Sequence, residues 1–212
     1  MHSIVLDGVS FHYRDAFGRR ANEGIVGVNL SLEQGKVTCL LGANGSGKST
    51  IIKLVLGFAY PTDGRIFKPR NMRFSYIGDG GRSLYSYMNL DENVRYSYAL
   101  RGIALRNGHD EELERLSRLF GLIDGGMKVS AMSRGMRQKA AIICALLLPH
   151  DFLIADEPTL GLDGPSQMEF ESILRCEVGL GRGVCLSTND MPMARRISDR
   201  MMFIEGGRLI ER

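Results

Sequence analysis

The chain has 212 residues, of which 44% are hydrophobic and 24% are charged, and these proportions exclude a disordered or fibrous protein. The formal net charge of +3 is too small to indicate nucleic acid or an anionic membrane surface as a partner, and no nucleic-acid partner is expected. The longest apolar run, Ala140–Leu148, is about half of the roughly 20 residues that a membrane-spanning helix needs.

The N-terminus and the cysteines both favour a cytosolic protein. The first residues show no basic start followed by an apolar block, so no signal peptide is expected. The four cysteines are far apart and form no C-x-x-C pair, which argues against zinc and favours buried, reduced thiols. They are Cys39, Cys144, Cys176 and Cys185.

Short apolar runs rich in branched residues alternate with segments of helical spacing. The predicted strands are Ile4–Val9, Val26–Leu32, Lys36–Leu41, Arg65–Phe67, Met72–Ile77, Phe152–Ala155, Val184–Ser187, Met201–Ile204 and Arg208–Ile210. The predicted helices are Lys48–Leu56, Leu90–Leu100, Glu111–Phe120, Arg134–Leu147, Pro165–Cys176 and Met191–Ile197.

This order of elements predicts an α/β fold with a mostly parallel sheet. Residues 78–148 contain helical patterns without a strand between them, which predicts an inserted helical subdomain. The last two strands flank Gly206 and Gly207 and are expected to form a hairpin. The charged stretch Arg14–Glu23 is interpreted as a solvated loop.

The segment after the third predicted strand has the pattern G-x-x-x-x-G-K-[ST] and opens a predicted helix. Its residues are Gly42, Ala43, Asn44, Gly45, Ser46, Gly47, Lys48, Ser49 and Thr50. Glycines let backbone N–H groups turn toward a phosphate, and the helix start adds a partial positive charge. We expect Lys48 to reach the β- and γ-phosphates of a nucleotide and the Ser49 hydroxyl to ligate Mg²⁺.

A second signal is the apolar strand that ends in Asp156 and Glu157. Ligands of doubly wound sheets lie at the carboxyl ends of the strands. We therefore expect Asp156 to hold Mg²⁺, directly or through water, and Glu157 to act as the general base on the attacking water.

With these motifs in this order, the whole chain resembles the ATP-binding domain of the ATP-binding-cassette superfamily. Met132–Lys139 stands where that family has its signature, in the S-x-G-M form seen in many prokaryotic exporters. The resemblance implies that Ser133 and Gly135 bind the γ-phosphate held by a second cassette. It also implies that Tyr13, with Phe11 as a competing candidate, stacks on adenine, and that Asp163 couples the two sites.

The resemblance further implies a P-loop NTPase core with a small antiparallel β subdomain. The core would comprise residues 1–77 and 149–212, and the helical subdomain would span about 78–148. Two ATP molecules would lie between two cassettes, of the same or unlike chains, arranged head to tail. A membrane-spanning permease on a separate chain would be the second partner, and would hold this chain at the inner face of the cell membrane. The groove beside the helical subdomain would receive that permease, with Tyr85, Tyr87 and Met88 as candidate contacts.

The sequence departs from the family at two positions. Asn189 replaces a histidine near the transferred phosphoryl group; it can donate a hydrogen bond but cannot carry charge. The family also has a glutamine near the start of the helical subdomain. Counting along the sequence to that position gives Asp79 or Gly80, and neither is a glutamine. Since Glu157 is retained, hydrolysis is expected to be slow rather than absent.

Three functions are therefore weighed. The first is the ATP-driven subunit of a transporter, leaning toward export because of the signature variant. The second is a single-cassette ATPase that acts in cofactor (iron–sulfur) assembly. The third is an ATP-binding regulatory half, paired with a fully competent cassette and motivated by the missing histidine and glutamine.

Overall fold

A computed structural model describes residues 3–14, 20–122 and 126–211. Its strands are β1 (Ser3–Arg14), β2 (Arg20–Glu33), β3 (Val37–Leu41), β4 (Asp63–Phe67), β5 (Phe74–Ile77), β6 (Phe152–Asp156), β7 (Gly183–Thr188), β8 (Arg200–Glu205) and β9 (Arg208–Glu211). Its helices are α1 (Lys48–Leu56), α2 (Leu90–Leu100), α3 (His109–Leu119), α4 (Arg134–Leu147), α5 (Gly164–Gly179) and α6 (Met191–Ile197).

The main sheet has six strands in the order β5-β6-β7-β3-β8-β9. Its first five strands are parallel, and β9 pairs antiparallel with β8, so the predicted hairpin is confirmed. The central strands β3 and β7 are buried along their whole length, which explains their nearly continuous apolar sequences. The carboxyl ends of β3, β6 and β7 therefore meet at one edge, with the phosphate loop after β3.

A separate antiparallel sheet has the order β2-β1-β4. Both β1 and β2 are longer than predicted, and Arg14 pairs with Arg20 in their register. The interpretation of Arg14–Glu23 as a loop was therefore wrong at both ends, while residues 15–19 lie outside the described residues. An antiparallel pair tolerates polar residues because it can face water, so the charged composition concealed the strand ends.

Hydrophobic clusters cover both faces of the main sheet. Helices α4, α5 and α6 share one cluster with Cys39, Leu41 and Leu153, and α1 shares the other with Leu40 and Ile154. Neighbouring strand residues point to opposite faces, so one short apolar strand supplies both clusters. The helices α2, α3 and α4 lie between β5 and β6 in the chain, as predicted. The division into a core and a helical subdomain at residues 78 and 148 stays a prediction.

The expectation that all four cysteines are buried was wrong for one of them. Cys39, Cys144 and Cys185 are buried, but Cys176 is exposed because it lies on the outer side of α5. Burial raises the pKa of the Cys39 thiol to about 12 and that of the Cys144 thiol to about 11. Within the described residues, none of the helices has the length and apolarity needed to cross a bilayer.

Gly183, the first residue of β7, is required by packing. A Cβ atom there would lie 2.1 Å from a ring carbon of Phe152, a side chain with no exposed surface. We expect Gly183→Ala to lower the free energy of unfolding by about 1–3 kcal/mol, measured by urea denaturation, because the core must shift to admit the methyl group. Gly179→Ala is the matched control, since its Cβ atom meets nothing within 4 Å. Equal losses in both variants would refute this reading of the core.

Candidate functional site

The loop between β3 and α1 is built on glycines in backbone conformations that other residues rarely adopt. Gly42, Gly45 and Gly47 all have positive φ angles, of 156°, 79° and 113°. A Cβ atom on Gly42 would also lie 2.6 Å from the backbone oxygen of Ile204. Helix α1 begins after Gly47 without a side-chain cap, so its first N–H groups are available to an anion.

Lys48 is a buried cation at this loop, with its side chain 6% exposed. Its Nζ atom donates to the backbone oxygens of Gly42 and Ala43, at 2.7 and 3.3 Å, and to Asn189 Oδ1 at 2.9 Å. Glu157 Oε1 lies 3.4 Å away. These four acceptors offset the cost of burying the charge, and they hold the ammonium group at the loop where a phosphate would bind.

A cavity of about 420 Å³ opens over this loop. Its lining residues are Tyr13, Gly24, Asn44, Gly45, Ser46, Gly47, Lys48, Ser49, Thr50 and Glu157. The Tyr13 hydroxyl shares a hydrogen bond with Thr50 Oγ1 at 3.1 Å, and its ring packs edge-on against Phe11 with centroids 5.0 Å apart. Phe11 is packed against the hydrophobic core, so Tyr13 is the aromatic residue of the two that reaches the cavity.

The two acids at the end of β6 are held by its neighbour β7. Ser187 Oγ donates to Asp156 Oδ1 at 2.5 Å, and the Glu157 N–H donates to Ser187 Oγ at 3.0 Å. Glu157 has a φ of 48°, and within the described part of the chain it alone among non-glycine residues has a positive φ. This uncommon conformation directs the Glu157 carboxylate toward Lys48.

Asn189 follows β7 and joins two parts of the phosphate loop. Its Nδ2 donates to Asn44 Oδ1 at 2.8 Å while its Oδ1 accepts from Lys48. The sequence predicted a contact of this side chain with a γ-phosphate. The structure brings Asn189 to the loop that would hold that phosphate.

The residues predicted to hold Mg²⁺ have suitable chemistry. Ser49 offers a hydroxyl at the start of α1, and Asp156 offers a carboxylate at the end of β6. Hydroxyl and carboxylate oxygens are hard ligands of the kind that Mg²⁺ takes, together with phosphate oxygens and water. The donor set therefore fits the ion.

The segment predicted as the signature lies at the start of α4, away from the cavity. Ser133 is exposed and caps α4, its Oγ accepting from the Met136 N–H at 3.2 Å. A Cβ atom on Gly135 would lie 2.9 Å from the oxygen of Gly161, which explains the glycine. Arg134 pairs with Asp79 at 3.1 Å. Asp79, a candidate for the place of the missing glutamine, therefore has its carboxylate engaged at the signature.

Asp163 lies at the other predicted coupling loop and caps α5, accepting from the Ser166 N–H at 2.9 Å. It also pairs with Lys139 on α4 at 2.7 Å. The Lys139 ammonium, followed by the hydrogen bonds from Ser166, holds the pKa of the Asp163 carboxyl well below its usual range. The structure thus joins this loop to α4 within one chain.

Sequence reasoning missed two residues at the site. Ser187 was named only as the end of a predicted strand, although a serine near the end of a buried strand beside an acidic strand end could have drawn attention to it. Gln138 was included in the signature stretch Met132–Lys139 but given no role, although it is a polar residue on the side of α4 that faces the core and is completely buried. Both contact the Asp156–Pro158 turn.

A phosphate loop beside paired acids at the edge of a parallel sheet defines a P-loop nucleotide-binding protein. The chain belongs to the ABC transporter family, whose model, described as "ABC transporter", matches residues 25–160. The proteins of this ATP-binding cassette family are ATPases.

Several curated proteins are similar along most of the chain. The ABC transporter ATP-binding protein NatA of Bacillus subtilis is 30% identical, covering 99% of this chain and 88% of its own. The Nod factor export ATP-binding protein I of Neorhizobium galegae is 30% identical, over 98% of this chain and 61% of its own. A "Probable anion import ATP-binding protein" of Haloferax volcanii is 31% identical, over 87% and 73%.

Solved structures agree with the fold. The "Structure of ATP binding subunit of ABC transporter" has a TM-score of 0.84 and 27% identity, covering 99% of this chain and 89% of its own. The dimeric structure of MJ0796, a bacterial ABC transporter cassette, also has a TM-score of 0.84, with 22% identity over 99% and 97%. The α/β architecture with its small antiparallel sheet is therefore that of ABC cassettes.

Proposed function

We propose that this chain binds and hydrolyses ATP as the cassette subunit of an ABC transporter and drives a separate membrane permease. The observation that carries the proposal is the meeting of Lys48, Glu157 and Asn189 at the phosphate loop. On this proposal the chain lies on the cytoplasmic side and is held at the membrane through the permease.

The site supports a division of roles among its residues. Lys48 and the N–H groups at the start of α1 bind the β- and γ-phosphates, and Tyr13 stacks on the adenine. Ser49 and Asp156 hold Mg²⁺, which when bound offsets the negative charge of the phosphates. Glu157 accepts the proton of the attacking water, and Asn189 donates a hydrogen bond to the γ-phosphate.

A second cassette completes the site in this proposal. Ser133 and Gly135 lie at the start of α4, outside the cavity that the phosphate loop forms, and Ser133 is exposed. An exposed serine at a helix start suits an anion delivered by another molecule. The similarity to a cassette solved as a dimer supports a pairing of two cassettes. On this proposal the two lie head to tail, with Asp163 at the junction of the two sites.

Export is the proposed direction of transport. The S-x-G-M form of the signature favours it, and one relative is named for the export of Nod factor. Another relative is named for anion import, so the direction needs its own transport measurement.

The contacts of Asn189 favour a second candidate, a regulatory half of a heterodimer. This neutral side chain bonds to both Asn44 and Lys48, and it cannot carry the positive charge that would assist phosphoryl transfer. Such a half would bind ATP and leave fast turnover to an unlike cassette.

Purification from detergent-solubilised native membranes tests the proposal. A tagged chain should recover a stoichiometric multi-spanning protein, and the complex should hydrolyse ATP with Mg²⁺. A second, unlike cassette in the same complex would favour the regulatory half. Recovery without any membrane chain would overturn the transporter proposal in favour of cofactor assembly.

Asn189→His is expected to raise ATP turnover about 10-fold, because it places a charge-capable group beside the transferred phosphoryl. Histidine is charged below about pH 6.5, so the gain should be largest in mildly acidic buffer and should fall as the pH rises. The wild-type asparagine does not titrate and serves as the control. A variant with the turnover of the wild type at every pH would show that this position does not limit the reaction.

A further inference from the structure

Gln138 is a buried amide in the middle of an apolar helix face. Its side chain has no exposed surface, and its Nε2 donates to the backbone oxygen of Pro158 at 2.8 Å. That carbonyl belongs to the residue directly after Glu157. A rotated amide would place two oxygens against each other, so the donor orientation is the one that the carbonyl selects.

The oxygen atom of this amide lowers the stability of the fold. Gln138 Oε1 is buried, and within the described residues it has no hydrogen-bond partner. A buried acceptor without a partner destabilises the fold, whereas an apolar side chain of the same shape would not. An apolar residue here would leave the carbonyl of the buried Pro158 without its donor, so this one hydrogen bond is what the glutamine supplies.

That hydrogen bond fixes a turn which is otherwise strained. Glu157 holds a positive φ of 48°, and such a conformation persists only where the surroundings determine it. On the preceding side, its N–H is bound by the backbone oxygen and Oγ of Ser187. On the following side, Gln138 holds the carbonyl of Pro158.

Gln138 also belongs to a continuous line of contacts. Gly135, Gln138 and Lys139 share one face of α4, as positions three and four apart do. They meet the backbone of Gly161, the carbonyl of Pro158 and the carboxylate of Asp163 in turn. The start of α4 and the turn at Glu157 are therefore joined along one helix face.

We propose that Gln138 is a positioning residue that aims the Glu157 carboxylate at the phosphate loop by anchoring the Pro158 carbonyl from α4. The inference rests on the proposed function, in which Glu157 is the general base. Gln138 does not touch the nucleotide and acts through the turn.

The test compares Gln138→Met with Ile143→Met, a buried substitution elsewhere on the same helix. Gln138→Met should lower kcat for ATP about 10- to 100-fold, leaving KM and the affinity for a fluorescent ATP analogue unchanged. Its urea midpoint should stay near that of the wild type, because the change removes one unpaired buried acceptor, Gln138 Oε1, and leaves another, the Pro158 carbonyl. Gln138→Leu replaces it if the Met variant does not fold, and Ile143→Met should keep wild-type kcat.

A double variant separates this inference from the proposed function. In a Glu157→Gln background, Gln138→Met should cause no further loss of hydrolysis, because both changes act through one carboxylate. If Glu157→Gln itself keeps normal hydrolysis, the proposed base and this inference both fail. If Glu157→Gln abolishes hydrolysis while Gln138→Met keeps the kcat of Ile143→Met, the inference alone is overturned.

Discussion

Glu157→Gln is expected to lower the rate of ATP hydrolysis by about 10²- to 10⁴-fold, because it removes the proposed general base and keeps the size of the side chain. The variant should still bind ATP, since Lys48 and the phosphate loop are unchanged. Without hydrolysis, the ATP-bound dimer should accumulate and be visible by gel filtration with light scattering. The rate of ATP hydrolysis is measured as the release of inorganic phosphate.

The control for this experiment is Glu114→Gln, which makes the same chemical change at an exposed position of α3. It should hydrolyse ATP like the wild type. Normal turnover by Glu157→Gln would show that another group accepts the proton. Loss of ATP binding would instead assign Glu157 a structural role beside Lys48.

Lys48→Met is expected to weaken ATP binding by about 10- to 100-fold, because a charge-assisted hydrogen bond contributes about 1.5–3 kcal/mol. The methionine keeps most of the length of the side chain and removes the ammonium group that now lies among backbone oxygens, Asn189 and Glu157. Isothermal titration with ATP in the presence of Mg²⁺ measures the change.

Lys139→Met removes an ammonium group of the same kind from α4, where its partner is Asp163. Its affinity for ATP should match that of the wild type at protein concentrations where the chain is monomeric. If the wild type, Lys48→Met and Lys139→Met all bound ATP with equal affinity, the phosphates would bind elsewhere. The proposed site would then have to be abandoned.

Much of the fold was predictable because local patterns agreed with the tertiary structure. Strands such as β3 and β6 are apolar throughout, and helices α2, α4 and α6 have the predicted bounds. The phosphate loop was identified because its glycines, its lysine and its position between a strand and a helix must occur together. The ends of β1 and β2 were missed because their charged sequences lack the apolar alternation by which a strand is recognised.

The fine geometry of the site could not be predicted because it depends on contacts between distant parts of the chain. The bond of Gln138 to Pro158 and the pair of Arg134 with Asp79 join segments whose approach only the fold decides. The positive φ of Glu157 left no mark in the sequence, since glycine would normally be expected there.

Because the four thiols differ in burial, one of them can carry a fluorescent label without any mutation. Cys176 is exposed and lines a cavity of about 500 Å³ together with Arg115 and Leu116 of α3. The other three thiols are buried and hold raised pKa values, so they resist alkylation at neutral pH. A maleimide dye therefore labels the unmodified chain at one place, between α3 and α5, and its fluorescence reports whether the surroundings of Cys176 change when ATP is added.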